Sequence, residues 1–152
     1  MLSRLSLGNG SFRNLATVSP DKLEADRSSS TGDFAVFRYF NEEEKRACKV
    51  VTDADHAWIY SESKESLVDK KYMYIVDSQG SFHVFNATVH SQVNAGAPVM
   101  CAGWIDYVRE NPSNRVVDNC SGHYTPTLSQ FINTLSIFIY EWIFIVSFFY
   151  RT

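Results

Sequence analysis

Residues 71–85, KYMYIVDSQGSFHVF, constrain this chain more than any other stretch. Two β-prone arms, Tyr72 to Val76 and Ser81 to Phe85, flank Asp77-Ser78-Gln79-Gly80, and Gly80 supplies the positive φ that a tight reversal needs. The pattern predicts a β-hairpin. Eleven Phe, eight Tyr and three Trp add to the strand preference of the whole chain. At 152 residues there is room for one domain whose core is stable without metal or disulfide staples.

After the hairpin, TVHSQVNAGAP breaks into a glycine-bearing loop and VMCAGWIDYV (99–108) is again apolar and β-prone. Asn111-Pro112-Ser113-Asn114 marks a turn, and RVVDNC returns as a short strand that delivers the chain into SGHYTP. There Gly122 relieves the backbone, Thr125 stands as N-cap and Pro126 as first helical residue, for a helix running through Leu128, Phe131, Ile132 and Leu135. Upstream, FAVFRYF (34–40) alternates weakly as a strand, and Asn41 caps a short helix opened by Glu42, Glu43 and Glu44. HAWIYSES reads as a further strand, and Lys64 to Lys71 as a polar loop.

The two ends differ in character. Residues 1–32 carry Arg4 and Arg13 in a serine-rich opening, then Gly32 and the run Ser28-Ser29-Ser30, and read as a disordered leader with at most a short helix near Pro20 to Glu24. The same composition resembles an organelle transit peptide or the export segment of a secreted bacterial effector. Residues 131–150 are almost wholly apolar and long enough to span a bilayer as a tail anchor, but Glu141 at mid-span would cost about 2.5 kcal/mol unpaired. A buried helix followed by a β-rich core segment is the preferred expectation there.

Fourteen basic against seventeen acidic side chains leave a formal charge of −3, and no basic run exceeds two residues, which argues against a nucleic-acid footprint. Cys48, Cys101 and Cys120 show no CxxC or Cys/His ligand spacing, so no metal site, cofactor or disulfide framework is expected and reduced thiols in a cytoplasmic protein are the simplest expectation. Of the four histidines, His83 sits within a strand arm and reads as structural, and His56 has no motif around it. His90 and His123 each lie in a loop beside a hydroxyl. Were the two loops to converge, His90, His123, Ser121 and Tyr124 would be the catalytic candidates, an imidazole serving as general base and a hydroxyl as donor to developing charge. Ser91, Gly96 and Gly122 complete the set as ligand-binding candidates. Equally, such side chains tie down loop backbone.

The runs KYMYIVDSQGSFHVF, VHSQVNAGAPVMCAGWI and VVDNCSGHYTPTLSQF together resemble a domain shared by plant IQ-motif calmodulin-binding proteins and by some bacterial toxin-like and effector-like proteins. The resemblance covers about residues 70–131, and its most specific part is Ser-Gly-His-Tyr-x-Pro. It singles out His90, Ser91, Gly96, Ala102, Gly103, Ser121, Gly122, His123, Tyr124 and Pro126 as motif positions. Gln92 stands where the family more commonly has a second serine, and Ala97 where it has a second glycine. The plant proteins bind calmodulin through a separate basic IQ helix that this chain lacks, so calmodulin is not an expected partner.

The expected architecture is therefore α+β: a mainly antiparallel sheet with one or two packed helices over residues 33–152, behind a disordered leader at 1–32. The expected function is a non-catalytic interaction or ligand-binding domain with an unknown protein or small-molecule partner. The alternative is a small secreted effector-type or toxin-type enzyme using a His/Ser/Tyr site.

Overall fold

A computed structural model describes residues 14–29, 37–55, 57–138 and 145–146. The elements run α1 (Pro20–Ser29), α2 (Glu42–Ala47), β1 (Val50–Thr52), β2 (Trp58–Tyr60), β3 (Lys70–Asp77), β4 (Phe82–Phe85), β5 (Val99–Tyr107), β6 (Val116–Val117), α3 (Leu128–Phe138) and β7 (Ile145–Val146). Short 3-10 turns occupy His90–Gln92 and Pro112–Asn114. The fold is α+β, as expected.

Strands order as β4-β3-β5-β6-β7, antiparallel except for the parallel β6–β7 pair, while β1 and β2 form a separate antiparallel pair. The β3–β4 hairpin closes as its turn residues dictate. Asp77 Oδ1 accepts from the backbone N–H groups of Gln79 (3.0 Å) and Ser81 (2.9 Å), and Gly80 takes a φ of +82°. From Tyr72 to Asp77 every residue of β3 is buried, because both faces of the sheet are covered. On one face Tyr72, Tyr74, Val76, Cys101, Ile105 and Val117 pack with Trp58 and with Phe131 and Leu135 of α3. On the other, Met73, Ile75, Val99 and Ala102 pack with Ala16, Val18, Val93 and Tyr124. That second face is covered by loops and by the N-terminal segment, and it is there that the histidine loops meet.

Several local expectations change. Residues 14–29 fall inside the segment whose composition suggests a disordered leader, yet they are built onto the sheet. Ala16 exchanges two backbone hydrogen bonds with Val99 (2.7 and 3.0 Å), Ala16 and Val18 are buried, and α1 follows. Ala16 and Val18 are two well-placed apolar side chains in a polar stretch, and average composition does not register them. Residues 37–40 are not a strand. They lie beside the 90–92 turn, with the Phe40 N–H donating to Gln92 O (2.8 Å), and residues 34–36 lie outside the described residues.

Helix α3 starts at Leu128, two residues later than the Thr125-Pro126 pair suggests. Thr125 has a φ of +42° and its N–H is bonded back to Ser121 O (2.8 Å), so it closes the corner and cannot cap the helix. Thr127 takes that role. Its Oγ1 accepts from the Gln130 N–H (3.2 Å) while Gln130 Oε1 accepts from the Thr127 N–H (2.9 Å), a reciprocal capping box. Of the apolar tail, α3 extends to Phe138 and Ile145–Val146 joins the sheet, while most of 139–150 lies outside the described residues. Among the described residues no helix is long and apolar enough to cross a membrane.

Candidate functional site

Three segments converge on the loop-covered face: the turn at His90–Gln92, the corner at Ser121–Tyr124 and helix α1. The turn is braced by Gln92, whose Oε1 accepts from the N–H groups of Thr88 (2.7 Å) and Val89 (3.1 Å) and whose Nε2 donates to Arg38 O (3.1 Å). The Gln92 side chain thus ties residue 38 to the loop, while its backbone carbonyl accepts from the Phe40 N–H (2.8 Å). The next bend passes through Gly96, at a φ of +74°, whose N–H donates to Ser91 O (3.0 Å).

His90 points inward. Its Nε2 donates to Gly103 O at 2.7 Å, and its ring meets Phe85 and Trp104 edge-on at 6.4 and 5.8 Å between centroids. Burial drives the imidazole down to about 4, against the pull of the Gly103 carbonyl, and nearby His123 pushes it further the same way. At neutral pH it is an uncharged peg between the turn and β5.

The corner is equally self-contained. Ser121 is buried, with Oγ accepting from the Tyr124 N–H (3.2 Å), and buried Tyr124 donates its hydroxyl to Ala97 O (2.7 Å). Burial raises the Tyr124 phenol above its ordinary range, and neighbouring Tyr39 and Asp26 add to the shift. Gly122 is exposed with open space around its Cα, and its φ lies outside the left-handed region, so the corner does not need a glycine there. The strained residue is Thr125.

Of the four catalytic candidates, His123 is the one that keeps access to solvent, its side chain 19 % exposed. Its Nε2 lies 3.0 Å from Oδ1 of Asp26, 97 positions earlier in the chain. The other oxygen of that carboxylate accepts from the hydroxyl of buried Ser91 (3.3 Å) and from Tyr39 (3.5 Å). The Tyr39 phenol is raised by its own burial and then by the Asp26 charge. Lys22, one turn before Asp26, donates to Gly122 O.

The structure thus brings His90, Ser91 and His123 into one neighbourhood, and places Gly96 under α1, where a Cβ would lie 2.6 Å from Leu23 Cδ2. Ser121 and Tyr124 belong to the corner's own framework. Asp26, Tyr39, Lys22 and Leu23 are additions that sequence motifs do not reveal. Ser19-Pro20-Asp21 does signal a helix start, with Ser19 Oγ accepting from the Lys22 N–H (3.4 Å), but nothing distinguishes Asp26 from the other acids of α1 as the one that is buried.

His83, read as structural, is buried in β4 with Nε2 3.1 Å from Asp77 Oδ2. Desolvation would raise Asp77, but hydrogen bonds from His83, Ser81 and Gln79 outweigh it and hold the carboxyl below its ordinary range. His56 lies outside the described residues. Among the described residues no group of three His, Cys, Asp or Glu side chains is arranged to hold a metal ion, and the three cysteines are free thiols.

Fold and site together define a small α+β domain with a histidine-lined loop face closed over by its own N-terminal helix. Comparison of the chain with protein-family models, with curated proteins and with solved structures finds no match.

Proposed function

We propose that this domain is a non-catalytic ligand-binding or interaction module of the Ser-Gly-His-Tyr-x-Pro type, recognising an unknown protein or small-molecule partner through the face where the His90–Gln92 turn meets the Ser121–Tyr124 corner. One observation carries this: Ser91 and His123, from separate loops, reach the same Asp26 carboxylate, so the two motif loops share one recognition point. The internal engagement of the other candidates favours binding over catalysis. A nucleophile or proton donor must be available to the reacting atoms, whereas His90 Nε2 and the Tyr124 hydroxyl are engaged by Gly103 O and Ala97 O. The free thiols fit a reducing compartment, and we place the domain in the cytoplasm.

A ligand-observed NMR screen of a metabolite library against the full chain and its His123→Ala variant tests this. Hits lost in the variant, with a melting temperature within a few degrees of the parent, support the assignment. Hits that bind the variant as tightly as the parent would place recognition elsewhere.

The second reading is a small effector-type or toxin-type enzyme. It is favoured by the 3.0 Å contact of Asp26 with His123, the arrangement in which a carboxylate orients a general base. An activity that Asp26→Asn and His123→Ala both abolish, in variants that remain folded, would establish it over the first.

A further inference from the structure

Helix α1 sits on the recognition face as if it were a ligand. Its sequence, PDKLEADRSS, is polar on every side: Leu23 is its one large apolar side chain, and Asp26 is the one residue it buries. Ten residues with no apolar stripe do not hold a helix in water, so α1 owes its order to what it docks on. Those contacts are Leu23 laid over Gly96, the Lys22 ammonium on Gly122 O, and the Asp26 carboxylate set among His123, Ser91 and Tyr39. An exposed Arg27 to Glu24 pair at 3.5 Å adds little.

The Asp26 carboxylate is 8 % exposed as a residue, and burying a charge is unfavourable unless donors converge on it. Here they come from three separate segments: an imidazole at 3.0 Å, a buried hydroxyl at 3.3 Å and a phenol at 3.5 Å. Three convergent donors, one of them able to carry positive charge, form a receptor for an oxyanion. The anion they hold is borne by a helix that has no apolar stripe of its own. Just before it, the Ala16 to Val99 pairing and buried Val18 fix the chain, so a displaced α1 would remain tethered at high effective concentration.

Building on the binding assignment above, we propose that the ligand of this face presents an oxyanion, a carboxylate or a phosphate, to His123, Ser91 and Tyr39, and that Asp26 occupies its place in the free protein, making α1 a displaceable plug.

The test uses the full chain, with inorganic phosphate and acetate as probes in separate titrations followed by the ring resonances of His123. Amide hydrogen exchange in α1 is read alongside. Leu23→Ala weakens the seat of α1 while leaving the three donors and Asp26 in place. It should bind the preferred anion at least fivefold more tightly than the parent, and saturating anion should speed exchange of the α1 amides in the parent at least tenfold. Asp26→Ala should bind more tightly still. If that variant fails to fold, Leu23→Ala decides alone.

Tighter binding of phosphate or of acetate identifies which oxyanion the natural ligand carries, and either supports the proposal. Equal affinity in the parent and Leu23→Ala, or α1 amides unmoved at saturation, overturns the plug while leaving His123-dependent metabolite hits, and the binding assignment, intact. No response of His123 to either anion in any form overturns the oxyanion receptor. If metabolite hits are also indifferent to His123→Ala, the binding assignment falls with it.

Discussion

The backbone carbonyl of Asp118 passes so close to Gly103 that a Cβ on Gly103 would lie 2.1 Å from its oxygen. Tyr74, the partner of Gly103 across β3 and β5, donates its hydroxyl to that same oxygen at 2.6 Å. The carbonyl of Gly103 in turn accepts from His90. One residue without a side chain thus lets the chain leaving β6 close against β5 beside the histidine turn. The spatial relation between the two motif loops depends on that approach.

Gly103→Ala should accordingly destabilise the domain by about 3 kcal/mol or more, because the obstructing atoms are backbone and cannot rotate away. Gly122→Ala, with nothing within 4 Å of its added carbon, should stay within about 0.5 kcal/mol of the parent. Urea denaturation midpoints of the two variants make the comparison. Equal midpoints would contradict the close approach at Gly103.

His90 links stability to pH. Its folded value of about 4 lies below the ordinary 6.5, so between those values the unfolded chain binds a proton that the native protein refuses. The contribution is fully present above about pH 6.5 and is lost as the pH falls toward 4, on the order of 3 kcal/mol in total. His90→Gln keeps a donor for Gly103 O and does not titrate. The stability gap between parent and variant, from urea melts at pH 7.5 and pH 4.5, should shift against the parent on acidification by more than 1 kcal/mol. A constant gap would mean that the buried imidazole is not held neutral.

What the sequence makes legible follows from the range of its signals. The β3–β4 hairpin and the body of α3 are announced by neighbours: a turn residue with the right φ, and apolar side chains at helical spacing in Leu128, Phe131 and Leu135. The convergence of His90, Ser91 and His123 is half legible, since each loop carries its own histidine and hydroxyl. Asp26 is not, because its partners lie 13, 65 and 97 positions away and its local context is an ordinary polar helix. The same holds for Arg115, a charged residue after a turn that nothing local marks for the interior. Gly122 shows the converse error. Next to a histidine it looks like a conformational device, yet the left-handed φ of the corner falls on Thr125.

Arg115 is 1 % exposed, its guanidinium 4.6 Å above the Tyr107 ring and 5.2 Å from that of Trp58, with Nε donating to Val108 O (2.8 Å) and Nη2 to Arg109 O (3.3 Å). It joins the β5–β6 turn to the aromatic core by stacking and by a planar set of donors, neither of which an ammonium supplies. Arg115→Lys should therefore cost about 2 kcal/mol, with Arg115→Met recovering part of the packing but not the two carbonyl bonds. Thermal denaturation followed by near-ultraviolet circular dichroism reads both stability and the Trp58 environment. A lysine variant as stable as the parent would reduce the role of Arg115 to charge alone.

The start of α3 can be assigned by substitution, because the two threonines near it carry opposite expectations. Thr127 caps the helix reciprocally with Gln130, so Thr127→Ala removes an acceptor from the first turn and should cost about 1 kcal/mol. Thr125 is held at a φ of +42°, a conformation that a β-branched side chain resists and glycine accepts. Thr125→Gly relieves that strain, offset in part by the greater freedom of glycine in the unfolded chain, for a net gain of about 0.5 kcal/mol. Were Thr125 the cap, as its place before Pro126 suggests, the glycine variant would gain nothing and Thr127→Ala would be near neutral. Opposite signs in the two urea midpoints place the cap at Thr127 and the strain at Thr125, two residues after His123 in the corner that presents it.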